Sequence, residues 1–125
     1  DGNVKNALLF KPWDIVADPL SDDIYFTDYK RVRVISKGIV RSVYEHRRWI
    51  GAITASKEGD FFIGANDGIF VLLRKWRYNA VFKLKTDIKF ELVRALHWCK
   101  GYLYVSTKTG QSTCQLYKIS LLNKH

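Results

Sequence analysis

The sequence predicts an all-β chain made of three copies of one four-stranded antiparallel unit. Three observations carry that expectation. Apolar and polar residues alternate with period two along most of the 125 residues, and there is no convincing helical stripe. A short alternating segment led in by a turn occurs three times, as "DIYFTD" (Asp23–Asp28), "DFFIGAND" (Asp60–Asp67) and "GYLYVSTK" (Gly101–Lys108), at offsets of 37 and 41 residues. The flanks repeat with it, "WDIVADP", "IGAITAS" and "LVRALHW" upstream and "RVRVIS", "GIFVLL" and "CQLYKIS" downstream.

These pieces are the strands A, B and C of each unit. A fourth strand, D, follows in the first two units as "IVRSVY" (Ile39–Tyr44) and "AVFKLK" (Ala80–Lys85). Units of four antiparallel strands at a period near 40 residues are β-propeller blades. One small twisted sheet cannot cover both of its faces, and stacking blades around an axis covers them. The expected organisation is one propeller segment over 1–125: an N-terminal strand D at 3–10, blade 1 at about 12–44, blade 2 at about 49–85 and blade 3 at about 91–120.

The ends look permuted. After "CQLYKIS" only "LLNKH" remains, so blade 3 lacks strand D, while "NVKNALLF" (Asn3–Phe10) reads like an outer strand placed before blade 1. Propellers usually have about four to eight blades. Three blades therefore predict half of a six-bladed ring, the N-terminal strand completing a blade of another chain or half. The partner is either a second copy or a companion chain with three further blades; the alternative is a piece of a longer polypeptide.

Composition bounds the function. The hydrophobic share of 47% supports a core, and no apolar run reaches the roughly 18 residues of a membrane span. A net charge of +9 favours anionic partners. The basic residues are dispersed and no nucleic-acid motif is present, so no specific nucleic-acid binding is expected. No methionine occurs, which suits a removed leader or a piece of something longer. Cys99 and Cys114 fall at opposite ends of nonadjacent strands, too far apart for a disulfide.

"DPLSDDIYFTD" resembles the blade signature of the YWTD propellers of the low-density-lipoprotein-receptor family, with Phe26 in place of the tryptophan. "FFIGAND" is nearer to NHL and gluconolactonase-like propellers, and "GANDGIFVL" is similar to insect ommochrome-binding proteins, which are secreted pigment carriers. The resemblance implies a six-bladed fold, a secreted location, and a closing aspartate, Asp28, that ties blades through hydrogen bonds. Asp67 lies near that position in blade 2, and blade 3 has threonine or lysine there.

In such a fold the B–C and D–A loops share one face, where ligands usually bind. The candidate site is Trp13, Tyr29, His46, Arg47, Arg48, Trp49, Asn66 and Asp67. Within "EHRRW", arginines beside a tryptophan suit an anionic or flat ligand. The groups Arg31/Arg33 and Arg74/Lys75/Arg77 around Trp76 are expected to be solvated strand faces. Enzyme motifs are absent. A lyase or lactonase of this fold would need a channel metal, for which Glu91, His97 and Asp14 are the available ligands without a pattern, and His97 is expected to be a hydrogen-bonded core residue. The expected function is a non-enzymatic binding module, needing no cofactor, that presents basic and aromatic loops to an anionic or protein ligand. A carrier of a small flat ligand is the alternative, and a metal-dependent hydrolase or lyase ranks below both.

Overall fold

Three antiparallel sheets stand in sequence order in the computed structural model, which describes residues 2–3, 9–74, 79–108 and 113–121. Blade 1 holds β2 (Pro12–Ala17), β3 (Ile24–Asp28), β4 (Arg31–Ser36) and β5 (Ile39–Glu45). Blade 2 holds β6 (Ile50–Ala55), β7 (Phe61–Ala65), β8 (Gly68–Arg74) and β9 (Asn79–Lys83). Blade 3 holds β10 (Val93–Cys99), β11 (Tyr102–Lys108) and β12 (Cys114–Ser120). Each blade is a meander, and blade 3 has three strands among the described residues. The all-β propeller segment expected from the repeat is the observed fold.

The N-terminal segment differs from expectation in its described part. Gly2–Asn3 form β1, which pairs with Val40 and Ile39 on the outer edge of blade 1 itself and makes that sheet five-stranded. Leu9 and Phe10 are outside any strand, and residues 4–8 lie outside the described residues.

The turns have local causes. Lys37–Gly38 and Lys100–Gly101 each place two successive residues at positive φ, the mirror-image turn that suits the right-handed twist of a hairpin. All three inner strands carry a bulge near their start, between Pro12 and Ile15, Ile50 and Ala52, and Val93 and Ala95. The same backbone bonds then recur. Tyr29 N–H donates to Lys11 C=O, Asn66 to Trp49 and Lys108 to Leu92. Between blades, Ile50 N–H donates to Tyr29 C=O and Leu92 N–H to Asn66 C=O. These ties set the true alignment of the repeats. Trp13, Gly51 and Arg94 are equivalent, and Asp28 corresponds to Ala65 and Thr107 rather than to Asp67.

Two apolar layers hold the blades together. Val16, Tyr25, Val32 and Val34 of blade 1 pack on Ile53, Phe61, Ile63, Phe70 and Leu72 of blade 2. Ala52, Phe62, Ile69 and Val71 of blade 2 pack on Leu96, Leu103, Val105 and Ile119 of blade 3. Gly64 sits where the second layer is thinnest, and a Cβ there would lie 2.4 Å from Val93 Cγ1. Gly64→Val is therefore expected to cost about 1–3 kcal/mol by overpacking, read as a lower urea midpoint with an unchanged slope.

Of the basic strand residues, Arg31 is solvated as expected, pairing at the surface with Glu45, but Arg33 and Arg74 are not. Arg33 is 2% exposed and pairs with Asp28 at 3.1 Å. Arg74 crosses from blade 2 to Asp18 of blade 1 at 2.6 Å, donates to Gly59 C=O, and lies over the Tyr25 and Phe61 rings. Burial alone holds each carboxylate's charged form back, but the hydrogen bonds outweigh it. Asp18 and Asp28 are both held below the usual carboxylate range. Lys75, Trp76 and Arg77 lie outside the described residues. Cys99 and Cys114 are free thiols, as the strand positions require. Among the described residues no helix is long and apolar enough to cross a membrane.

Candidate functional site

The inner strands β2, β6 and β10 pack side by side at the hub. They are stitched there by side chains. Asp14 Oδ2 accepts from Ile53 N–H at 3.0 Å while Oδ1 accepts from Ile15 N–H, and Thr54 Oγ1 accepts from Trp98 N–H at 3.1 Å. These bonds cap inner-edge amides that no further strand reaches.

On the B–C loop side the hub ends in a row of three side chains. The bulge of β2 turns Trp13 toward blade 2, where its ring meets the edge of Trp49 with centroids 5.3 Å apart. Arg94, at the equivalent bulge of β10, brings its guanidinium to 5.9 Å from the Trp49 ring. Gly51, between them, has no side chain, and a Cβ there would lie 3.1 Å from the Val93 carbonyl oxygen. The rim is thus two indoles and one cation. Trp13 is 56% exposed. The Trp49 Nε1–H is buried without an acceptor among the described residues.

Beside the rim lies a buried relay. The Tyr44 hydroxyl is 2.6 Å from His46 Nδ1, and His46 Nε2 is 2.8 Å from Asp67 Oδ1. An N–H on Nε2 donating to the carboxylate leaves Nδ1 to accept from Tyr44. Arg47 Nε donates to Asp67 Oδ2 at 3.0 Å. Burial and the nearby Asp67 charge push the Tyr44 hydroxyl above its ordinary value. Asp67 is penalised by burial, yet the His46 hydrogen bond and the Arg47 charge hold its carboxyl below the usual range.

The eight expected residues therefore separate. Trp13 and Trp49 form the rim, with exposed Arg48 nearby in sequence. His46, Arg47 and Asp67 form an inter-blade clasp, and His46 is 5% exposed, so it positions the turn rather than meeting a ligand. Asn66 acts through its backbone, joining Trp49 to Leu92. Tyr29, at positive φ, is stacked edge-on to Phe10 and lines a separate cleft of about 540 Å³ with Lys30, Arg31 and Glu45. Arg94 was missed. Its only signal is its position in the repeat, which the bulges shift by one residue.

Asp28 is structural, but its bonds lie within blade 1 and the segment leading into it, not between blades as the resemblance implied. Its carboxylate accepts from Phe10 N–H and Lys11 N–H and pairs with Arg33, so it grips the segment leading into blade 1. Asp67 grips the segment leading into blade 2 from two positions further along. The proposed metal ligands do not converge. Asp14 is spent on backbone amides, Glu91 is exposed beside Lys89, and His97 is exposed rather than a core residue. Among the described residues no three potential ligands come together.

No family model matches the chain, and no curated protein sequence matches it. The class is defined by the fold: a partial β-propeller. A solved structure provisionally assigned as a gluconolactonase superposes on 96% of this chain with a TM-score of 0.74 at 10% identity. The chain spans 48% of that protein's length. The likeness establishes the fold, and no YWTD-specific match accompanies it. It also corrects the expectation of a non-enzymatic module, because the solved protein that shares this architecture carries an enzyme's name.

Proposed function

We propose that this chain is half of a hydrolase-type six-bladed propeller and that its hub rim binds the substrate, a cyclic ester or the hydroxy acid formed from it. The observation that carries the reading is the row Trp13, Trp49 and Arg94 at the mouth of a fold shared with an assigned gluconolactonase. Indole faces suit the flat faces of a small ring. A guanidinium suits a carbonyl or carboxylate oxygen. The Trp49 Nε1–H is a buried donor with no acceptor among the described residues, and leaving such a group unmet costs about 1–3 kcal/mol. A ligand oxygen would relieve that cost.

Hydrolysis adds water to the ester carbonyl and breaks the ring C–O bond, leaving a carboxylate and a hydroxyl. The residues described here bind and orient. Arg94 meets the carbonyl oxygen and the developing carboxylate, the tryptophans exclude water from one face, and the clasp His46–Asp67 holds the segment that carries Trp49. Activation of the water falls to the three blades that close the ring, since no group at this rim is placed as a base. The first blade's "DPLSDDIYFTD" supports a YWTD-like ancestry for that blade, with the secreted location which that kinship implies.

The full-length protein is expected to hydrolyse glucono-1,5-lactone above the buffer rate, followed with a pH indicator. Arg94→Ala should lower kcat/KM about 10- to 100-fold, the worth of one hydrogen bond to a charged group. Titration with gluconate should change the tryptophan fluorescence of the parent and leave Arg94→Ala unresponsive. No turnover together with no fluorescence response overturns the reading.

A further inference from the structure

The two open ends of the half ring are not alike. In blades 1 and 2 the side that packs on the following blade has one plan. Val16, Tyr25, Val34 and Val32 occupy it in blade 1, and Thr54, Phe62, Val71 and Ile69 in blade 2. Strand pairing places His97, Tyr104, Lys118 and Leu116 at those positions in blade 3. Val34 and Val71 belong to buried layers. Lys118, at their position, is exposed and holds its ammonium over the Tyr102 ring at 4.2 Å and the Tyr104 ring at 5.9 Å. Leu116 beside it is 75% exposed.

A second copy would bring its own blade 1 against this face. By the same pairing, that blade offers Ile15, Ile24 and Ile35, while Phe26 and Arg33 on the same side are already buried within the chain, Arg33 paired to Asp28. Lys118 would be buried against isoleucines without an anion. Removing a charge from water without a partner costs several kcal/mol per ion. Two copies, each at +9, would also repel.

We infer that the blade 3 face turns away a second copy of this chain and accepts a propeller half of different sequence whose facing blade carries a carboxylate opposite Lys118. The inference rests on the ring closure proposed above and not on its catalytic part. The partner differs from this chain where it counts: apolar around Leu116 and Tyr104, acidic at one position in its third strand.

Sedimentation of the purified chain tests this, with lactone turnover playing no part in the readout. The parent chain is expected to sediment at 14.6 kDa. Lys118→Val restores the residue type of blades 1 and 2 and should shift the mass to twice that value, indifferent to salt. Ile35→Glu puts a carboxylate on the facing side, at the position of Leu72, which shares a buried layer with Val34. It should also dimerise, and its dimer should dissociate in 1 M salt, where the screening length falls to about 3 Å. Lys118 is exposed, so its replacement tests association without disturbing the fold. A parent dimer overturns the inference while leaving ring closure standing. Monomers for both variants overturn it as well.

Discussion

Asp28→Asn is expected to lower the unfolding free energy by about 3–5 kcal/mol, the usual cost of removing one member of a buried ion pair. The carboxylate and the Arg33 guanidinium are each 2% exposed, so the substitution removes a buried carboxylate charge from beside a buried cation. It also weakens the grip on the Phe10 and Lys11 amides. Urea melts at pH 7 measure the loss. The pH dependence gives a second readout with a fixed sign. The folded carboxyl is held below its ordinary value, so its contribution is complete above about pH 4 and fades as pH falls through the lower, folded value. The parent protein should therefore lose stability on acidification more steeply than Asp28→Asn. Equal stability of the two at pH 7 would mean that Arg33 finds another anion.

Arg74→Met should cost about 2–4 kcal/mol, somewhat less than a fully buried pair because the guanidinium keeps a quarter of its exposure. The side chain joins blade 2 to the Asp18 turn of blade 1 and covers the Tyr25 and Phe61 rings. Methionine preserves much of the apolar cover and removes the charge. The Asp18 carboxylate, whose side chain is 0% exposed, then keeps Ser21 and Leu20 as its partners among the described residues. Adding Asp18→Asn to Arg74→Met should recover part of the loss, because the stranded charge is gone. A double variant no more stable than Arg74→Met would show that packing on the rings, and not the ion pair, sets the cost.

Much of the fold was legible along the chain. Alternation over Ile24–Asp28 and Arg31–Ser36, the turn at Lys37–Gly38 and the recurrence near 40 residues are local signals, and each corresponds to an observed strand or turn. Blade 3 has three strands among the described residues. The site was legible in part. Of the three side chains that meet at the hub, Trp13 and Trp49 were marked from residue type and Arg94 was not, since aligning "WDIVADP" with "LVRALHW" by eye ignores the bulge that begins each inner strand. His46 and Asp67 were expected on the loop face and are drawn into a contact between blades, because burial between blades is invisible to loop composition. Arg33 and Arg74 read as solvated for the same reason.

The amino-acid order alone determined three repeated meanders of β-strand, because alternation and turn chemistry act between neighbours a few residues apart. Only the tertiary structure decided which cations are buried and which side chains meet at the hub. Those contacts join residues such as Asp18 and Arg74, or Trp49 and Arg94, that come together across blades through bulges and stacked faces, which no spacing within one blade encodes.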